Sequence, residues 1–233
     1  MGYTPEHMSQ WNDFFIYNPA SRQRREILAG IVETLDFDSV LDVGCGDGSL
    51  ALYLKDRFGK KTYGLEYDSD QPRLADQMDS YFNMNIAEEK PDQIFDLVIA
   101  TEVLEHIPDD AAALKNIRSV CGKHLFITVP AGAIRRTDQH MGHIRHYSLS
   151  DLKQKVEAAG FKVTRAFAWG FPFHSLYKAA QDWVPGAMIE GFGSGKYGLL
   201  AKGICHMLYA LFTINSKSNG CQLFLLAEVS KKP

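Results

Sequence analysis

Two rhythms of apolar residues alternate along this chain. Short apolar runs, rich in β-branched and aromatic residues, occur over 40–43, 61–66, 81–85, 95–100, 124–130, 162–169 and 222–229. Runs like 95–100, apolar on both faces, suit strands inside a parallel sheet. Between the runs the spacing turns helical. Over 22–35, Ile27, Leu28, Ile31 and Leu35 share one face, and Ser21 precedes them as a cap. Arg22, Arg24 and Arg25 on that helix read as a solvated face. Further helices are predicted over 49–55, 72–78 and 110–120. Another is opened by Ser148 or Ser150 and closed by Gly160. Strands alternating with helices predict an α/β fold built around a parallel sheet.

Length and composition narrow this picture without changing it. At 233 residues the chain can bury one sizeable core. A net charge of -3 gives no reason to expect a nucleic acid as partner. Cys45, Cys121, Cys205 and Cys221 are scattered, with no paired spacing, which suits a reducing cytoplasm better than a disulfide scaffold or a zinc site. Residues 1–18 carry no basic-then-apolar leader, so a cytoplasmic location is expected.

The run at 40–43 ends in the chain's most informative turn. Gly44, Gly46 and Gly48 recur at every second position, and the helix beginning at Ser49 points its N-terminus at them. Such a turn lets a ligand approach the backbone closely. The dinucleotide fingerprint needs a wider third spacing, G-x-G-x-x-G, and cradles a pyrophosphate. Here Asp42 stands two residues before Gly44, a poor neighbour for phosphate and a good one for an ammonium or sulfonium group. Glu66 ends the next strand, about where a βαβ fold places the acid that holds ribose hydroxyls.

The stretch D-V-G-C-G-D-G, from Asp42 to Gly48, resembles the first motif of the class I S-adenosylmethionine-dependent methyltransferases. The run F-D-L-V-I-A-x-E-V-L-E-H-I, from Phe95 to Ile107, resembles their fourth-strand motif. Tyr147 and Ser148, followed by Leu152 and by Ala159-Gly160-Phe161, also match the small-molecule branch. The resemblance implies a Rossmann-like sheet of seven strands, mostly parallel, with an antiparallel last strand and helices on both faces. It implies S-adenosyl-L-methionine as cofactor, held by Asp42, by Gly44, Cys45, Gly46 and Gly48, and by Glu66 on the ribose. Tyr67, Asn85 and Ile86 would lie at the adenine, and Thr101 and Glu102 at the methionine end. Where the family often carries an aspartate and a small residue after the third strand, this chain has Asn85-Ile86-Ala87, a departure at the adenine edge.

Beyond the fifth strand the loop over 131–147 gathers Arg135, Arg136, Asp138, His140, His143, Arg145, His146 and Tyr147. A loop at the carboxyl end of a strand is where open α/β sheets place their sites. His140 or His143 is a candidate general base for a hydroxyl acceptor, since imidazole titrates near neutrality. His106 is a third candidate, facing the acceptor. Structural roles remain open for each. A metal reading of His140, His143 and His146 is set aside: their spacing shares no helical face, and no carboxylate cluster is evident beside them.

The expected organisation is one methyltransferase domain over 1–233, with 1–20 as an aromatic cap and 170–221 as an aromatic-rich insert before the last strand. Within the insert, 197–214 is apolar apart from Lys202 and His206. It reads as a helix packed on the core or at a homodimer interface, a wall for an apolar acceptor, or a membrane-surface contact. The expected activity is methyl transfer to a small-molecule hydroxyl, with the acceptor apolar or lipid-like. The alternatives are a non-catalytic S-adenosylmethionine-binding regulator or scaffold and an NAD-dependent oxidoreductase.

Overall fold

The computed structural model describes residues 12–67, 74–183 and 196–230. Parts of the expected 1–20 cap, 72–78 helix and 170–221 insert lie outside them. The described helices are α1 (Asp13–Tyr17), α2 (Pro19–Val32), α3 (Ser49–Phe58), α4 (Asp110–Val120), α5 (Arg136–His140), α6 (Leu149–Ala158), α7 (Phe173–Trp183) and α8 (Leu199–Thr213). The strands are β1 (Ser39–Val43), β2 (Lys61–Glu66), β3 (Ser80–Asn83), β4 (Phe95–Thr101), β5 (Cys121–Pro130), β6 (Phe161–Trp169) and β7 (Gln222–Val229).

The strands form one seven-stranded sheet in the order β3-β2-β1-β4-β5-β7-β6. Pairing is parallel from β3 through to β5, whereas β7 runs antiparallel to both β5 and β6. This is the Rossmann-like arrangement expected from the motifs. Side chains alternate across each strand. On β1 and β4, Val40, Leu97 and Ile99 join the α2 and α3 side of the core, while Leu41, Val43, Val98 and Ala100 join the α4 and α6 side. Each such fully buried aliphatic side chain stabilises the fold by about 1.5–3 kcal/mol. Because both faces are covered, these strands read as unbroken apolar runs.

Several boundaries differ from expectation. The first long helix starts at Pro19 and ends at Val32, because Asn18 is its cap: its side chain accepts from Ala20 N and Ser21 N. Proline at the first helical position fixes φ and leaves no orphan amide. Arg25 on that helix is buried, its guanidinium 4.1 Å from the centroid of Phe15, so the solvated-face reading fails for it. Among described residues the expected 72–78 helix is a single 3-10 turn over Ala75–Gln77. The third strand begins one residue earlier and stops at Asn83, and the fifth begins at Cys121. Inside the polar loop α5 forms one short turn of helix.

The order of the sheet reverses between β1 and β4, since β2 and β3 lie on one side and β5 on the other. Such a reversal leaves a crevice at the carboxyl ends of the strands. A buried network pins the turn that follows β4. The Tyr147 hydroxyl meets the Leu104 carbonyl at 3.1 Å and Asp110 Oδ2 at 2.8 Å. Asp110 also pairs with Arg145 at 3.0 Å and Lys155 at 3.1 Å. Removing the hydroxyl takes a donor from buried Asp110 and leaves the Leu104 carbonyl only the 3.3 Å contact from Ile107 N. Tyr147→Phe is therefore expected to cost about 1–2 kcal/mol in urea denaturation; an unchanged midpoint would show that the network holds nothing.

Candidate functional site

Two cavities meet at the reversal. The larger, about 680 Å³, is lined by Val43, Gly44, Leu65, Glu66, Tyr67, Met84, Asn85, Ile86 and Glu102, and reaches His106, Ile107, Pro108 and Asp109. The smaller, about 410 Å³, is lined by Gly44, Cys45, Gly46, Asp47, Thr101, Glu102 and Thr128, with Arg24 and Arg25 opposite. Gly44 and Glu102 line both, so the two form adjoining lobes of one cleft around the glycine turn.

The turn is left-handed at Gly44 (φ 69°), Gly46 (φ 54°) and Gly48 (φ 84°), a conformation that costs side-chain-bearing residues energy. A Cβ on Gly44 would sit 2.4 Å from Val103 Cγ2, whereas one on Gly46 would meet nothing within 4 Å. Gly44 is thus a packing requirement, and Gly46 opens a backbone amide region toward the cleft. Gly48 lines neither cavity and serves as the N-cap of α3. Glu66 reaches back across the turn: its Oε2 accepts from Gly46 N at 2.9 Å and its Oε1 from Tyr67 N at 2.8 Å. Tyr67 is exposed at the rim of the larger lobe. Asn85 lines that lobe too, with its amide engaged locally, to Glu88 at 2.9 Å and from Ala87 N at 3.1 Å. Ile86 gives the lobe an apolar floor.

Asp42 is placed differently from its neighbours. It is buried, lines neither lobe, and neither carboxylate oxygen has a hydrogen-bond partner. Burial, then the charges of Glu66 and Asp47, push its pKa well above the usual carboxylate range. Cys45 is also buried, and burial first, then Asp42, raises its thiol pKa out of the nucleophilic range.

Glu102 has φ 59°, rare for a residue with a side chain. Its Oε1 accepts from Thr128 Oγ1 at 3.0 Å and Gln222 Nε2 at 2.6 Å, and Arg24 Nη1 stands 3.6 Å from Oε2. Strained backbone of this kind collects at functional sites.

The histidines divide. His106 lines the larger lobe, and its Nδ1 lies 3.2 Å from the Gly142 carbonyl. A carbonyl can only accept, so Nδ1 carries the proton and Nε2 keeps a lone pair. The His143 ring stacks edge-on against it, centroids 4.8 Å apart. His143 Nδ1 is 3.1 Å from His146 Nε2, which stands 3.5 Å from Asp138 Oδ2. His140 is exposed at the end of α5 and joins neither lobe nor this cluster.

Sequence reasoning missed the cluster's acids. Asp138 is fully buried. Burial raises its pKa, but the Arg135 amide at 3.0 Å and Lys178 at 2.9 Å outweigh this and hold it below the ordinary value. Glu105 is equally buried, and neither of its oxygens has a hydrogen-bond partner. Burial, then the charge of Glu102, raise its pKa. The absence of a carboxylate beside the histidines, assumed from the sequence, is thus wrong: Asp138 and Glu105 both reach them. The signal was present in E-x-x-E-H, where Glu105 precedes His106 in a turn.

Comparison with known proteins agrees with this geometry. A family model described as "Methyltransferase domain" matches residues 17–166. The chain belongs to that methyltransferase family. It is 29% identical over 255 residues to the tocopherol O-methyltransferase of Arabidopsis thaliana, covering 85% of this chain and 73% of that one. It is 35% identical over 86 residues to a ubiquinone biosynthesis O-methyltransferase of Pseudomonas fluorescens, covering 33% of this chain and 36% of that one. The chain spans about a third of the length of several other curated relatives it matches. Among solved structures, the Haemonchus contortus phosphoethanolamine N-methyltransferase 2 in complex with S-adenosyl-L-methionine superimposes with TM-score 0.61 at 16% identity, covering 98% of this chain and 58% of that one. The [4+2]-cyclase SpnF does so at 0.60 and 17%, covering 91% and 82%.

The enzyme is therefore an S-adenosylmethionine-dependent methyltransferase, and the cleft fits that cofactor. The carboxyl of Glu66, on the wall of the larger lobe, matches a ligand with hydroxyls, while Asp42 lies buried behind the turn and lines neither lobe.

Two outcomes test these placements. Glu66→Ala is expected to weaken S-adenosylhomocysteine binding by about tenfold or more in calorimetry, at the level of a lost charge-assisted hydrogen-bond pair; unchanged affinity would remove Glu66 from the site. Burial, then the charge of His106, lower the His143 pKa from 6.5 to about 4. A histidine depressed this way stabilises the fold fully above about pH 6.5, and the contribution is lost as pH falls toward 4. Unfolding free energy measured across that range in metal-free buffer should fall, and His143→Asn should flatten the fall; an identical slope in the variant would contradict the burial argument.

Proposed function

We propose that this methyltransferase transfers its methyl group to the hydroxyl of a small, apolar acceptor lodged at the His106 edge of the larger lobe. The observation that carries this reading is the edge-on His106–His143 pair beside an apolar rim of Val103, Ile107 and Pro108. The names of two kinds of relative point the same way, since tocopherol and ubiquinone O-methyltransferases act on oxygen, whereas a phosphoethanolamine N-methyltransferase among the relatives does not.

Glu66 and Tyr67, with Asn85 and Ile86, would hold the nucleoside in the larger lobe. Thr101, Glu102 and Asp47, facing Arg24, would hold the two charges of the amino-acid end in the smaller one. When bound, S-adenosylmethionine supplies a methyl group activated by positive sulfur, with the C–S electron pair returning to sulfur as an acceptor oxygen lone pair forms the C–O bond. The chain's task is then positioning and proton removal. The lone pair on His106 Nε2, or on its partner His143, takes the hydroxyl proton. Asn12, whose amide lies 3.4 Å from Asp47 Oδ2, and Phe14 and Phe15 on the wall of the smaller lobe give the N-terminal segment the place of a cover.

The insert takes a different part from a pocket wall. Among described residues none of 170–221 lines either lobe. Helix α8 packs on α2, with Arg22 3.8 Å over the Tyr209 ring, and reaches α1, where Lys202 stands 3.3 Å from Asp13. No described helix is long and apolar enough to cross a membrane. Four free cysteines support a reducing, cytoplasmic setting.

A methyl-transfer assay with radiolabelled donor and a panel of apolar phenols, alcohols and amines tests the reading. Turnover is expected with hydroxyl acceptors, and His143→Ala is expected to lower kcat while leaving S-adenosylhomocysteine affinity near wild type. Transfer only to amines would refute the oxygen assignment. Product binding with no transfer to any acceptor would favour a non-catalytic binding role.

A further inference from the structure

Glu105 has no visible reason to be where it is. Its carboxyl is completely buried, and neither oxygen finds a donor in the protein. A buried polar group without a partner costs several kcal/mol, and a native fold keeps one where something else supplies the partner. One oxygen of Glu105 and one nitrogen each of His106 and His143 lie within 4.8 Å of one another.

We propose that Glu105, His106 and His143 form a binding site for a divalent transition-metal cation at the acceptor end of the larger lobe. The chemistry of the set is one carboxylate and two neutral imidazoles, which suits zinc, iron or manganese and leaves positions open for an outside oxygen. Ligand atoms of a shared cation stand roughly 3–4 Å apart when the metal–ligand bonds are about 2.0–2.2 Å, so closure needs a shift of under about 2 Å. Each ring also has a partner at its Nδ1, and metal-binding imidazoles usually have such a partner at one nitrogen. His106 donates through Nδ1 to the Gly142 carbonyl, which leaves Nε2 unprotonated. His143 Nδ1 faces His146 Nε2, and when His143 donates there, its own Nε2 lone pair is free. Behind them Asp138, fixed by Lys178 and the Arg135 amide, lies 3.5 Å from His146 Nε2. Asp138, His143 and His146 also approach each other closely, but both Asp138 oxygens already have partners, so this second trio acts as the support for the first.

The inference rests on the methyl-transfer reading for its purpose and deepens it. A cation at this place would bind the acceptor's hydroxyl oxygen and lower its pKa, so that the proton leaves to water before the oxygen attacks; in the loaded site the imidazoles would hold the cation, and the base role given to them above would apply only to the metal-free protein. It selects an oxygen acceptor over an amine.

The test uses chelator-stripped full-length protein without donor or acceptor. Co²⁺ is titrated in and followed by its visible absorption. Wild type is expected to bind one equivalent, with Glu105→Gln and His143→Asn each weakening binding by about tenfold or more, and His206→Asn, on α8, binding as wild type. S-adenosylhomocysteine affinity is measured on the same samples. A wild type that takes up no Co²⁺, or variants that bind it as wild type does, would overturn the cation site. Loss of S-adenosylhomocysteine binding by wild type would instead strike the methyl-transfer reading and leave the cation result standing. Should Glu105→Gln fail to fold, His143→Asn carries the test.

Discussion

The interlock between the turn after β1 and the turn after β4 is the constraint on which the cleft depends. Gly44 has no side chain because Val103 occupies the space, its Cγ2 2.4 Å from where a Cβ would stand. Val103 in turn follows Glu102, whose backbone is left-handed at φ 59°. Neither turn keeps its shape without the other. Their contact falls where the strand order reverses, the one place in an open α/β sheet where adjacent loops diverge and leave room between them. Both lobes of the cleft open from this junction, with Gly44 and Glu102 in the wall of each.

The buried acids sort into two kinds around that junction. Asp110 and Asp138 are satisfied: tyrosine, lysine and arginine side chains or a backbone amide meet their oxygens, and their pKa values are held below the ordinary range despite burial. They frame the turn and the histidine cluster. Asp42 and Glu105 are unsatisfied, and burial drives their pKa values up. One lies just before the glycine turn and one just before His106. Satisfied acids stabilise a fold, and unsatisfied ones are a cost that ligand binding can offset. The distribution of partners thus separates framework from site within one family of side chains.

Much of the architecture was legible because local and tertiary signals agreed. The buried strands are apolar on both faces, and the glycines at 44, 46 and 48 require left-handed backbone whatever surrounds them. The start of α2 was misplaced because a cap depends on which side chain turns back to the amides, and Asn18 before Pro19 outcompeted Ser21. Arg25 was misjudged because its burial is decided by Phe15 and Tyr53, which lie on other elements. Around the site, Gly44, Gly46 and Glu66 could be read from spacing along the chain, and Glu102 from the family resemblance of the fourth-strand motif. The histidine cluster could not. Its members come from the turn after β4, the loop around α5 and, through Lys178, from α7. Nothing in local sequence reports that three distant segments converge.

That convergence bears on what the insert contributes. A fold shared with both an N-methyltransferase and a [4+2]-cyclase leaves the chemistry to whatever surrounds the cleft. The described part of the insert stays out of both lobes, yet Lys178 on α7 holds Asp138 at 2.9 Å. Asp138 stands beside His146, His146 beside His143, and His143 beside His106 on the cavity wall. Each link is a directional polar or ring contact, and those from Asp138 to His143 lie in a buried setting, where a displaced partner leaves a donor or acceptor unpaired. The insert therefore acts on the acceptor end at second hand, by fixing the orientation of imidazoles it does not touch. A change in α7 that moves Lys178 alters the charge behind His146 before it alters the shape of the cavity.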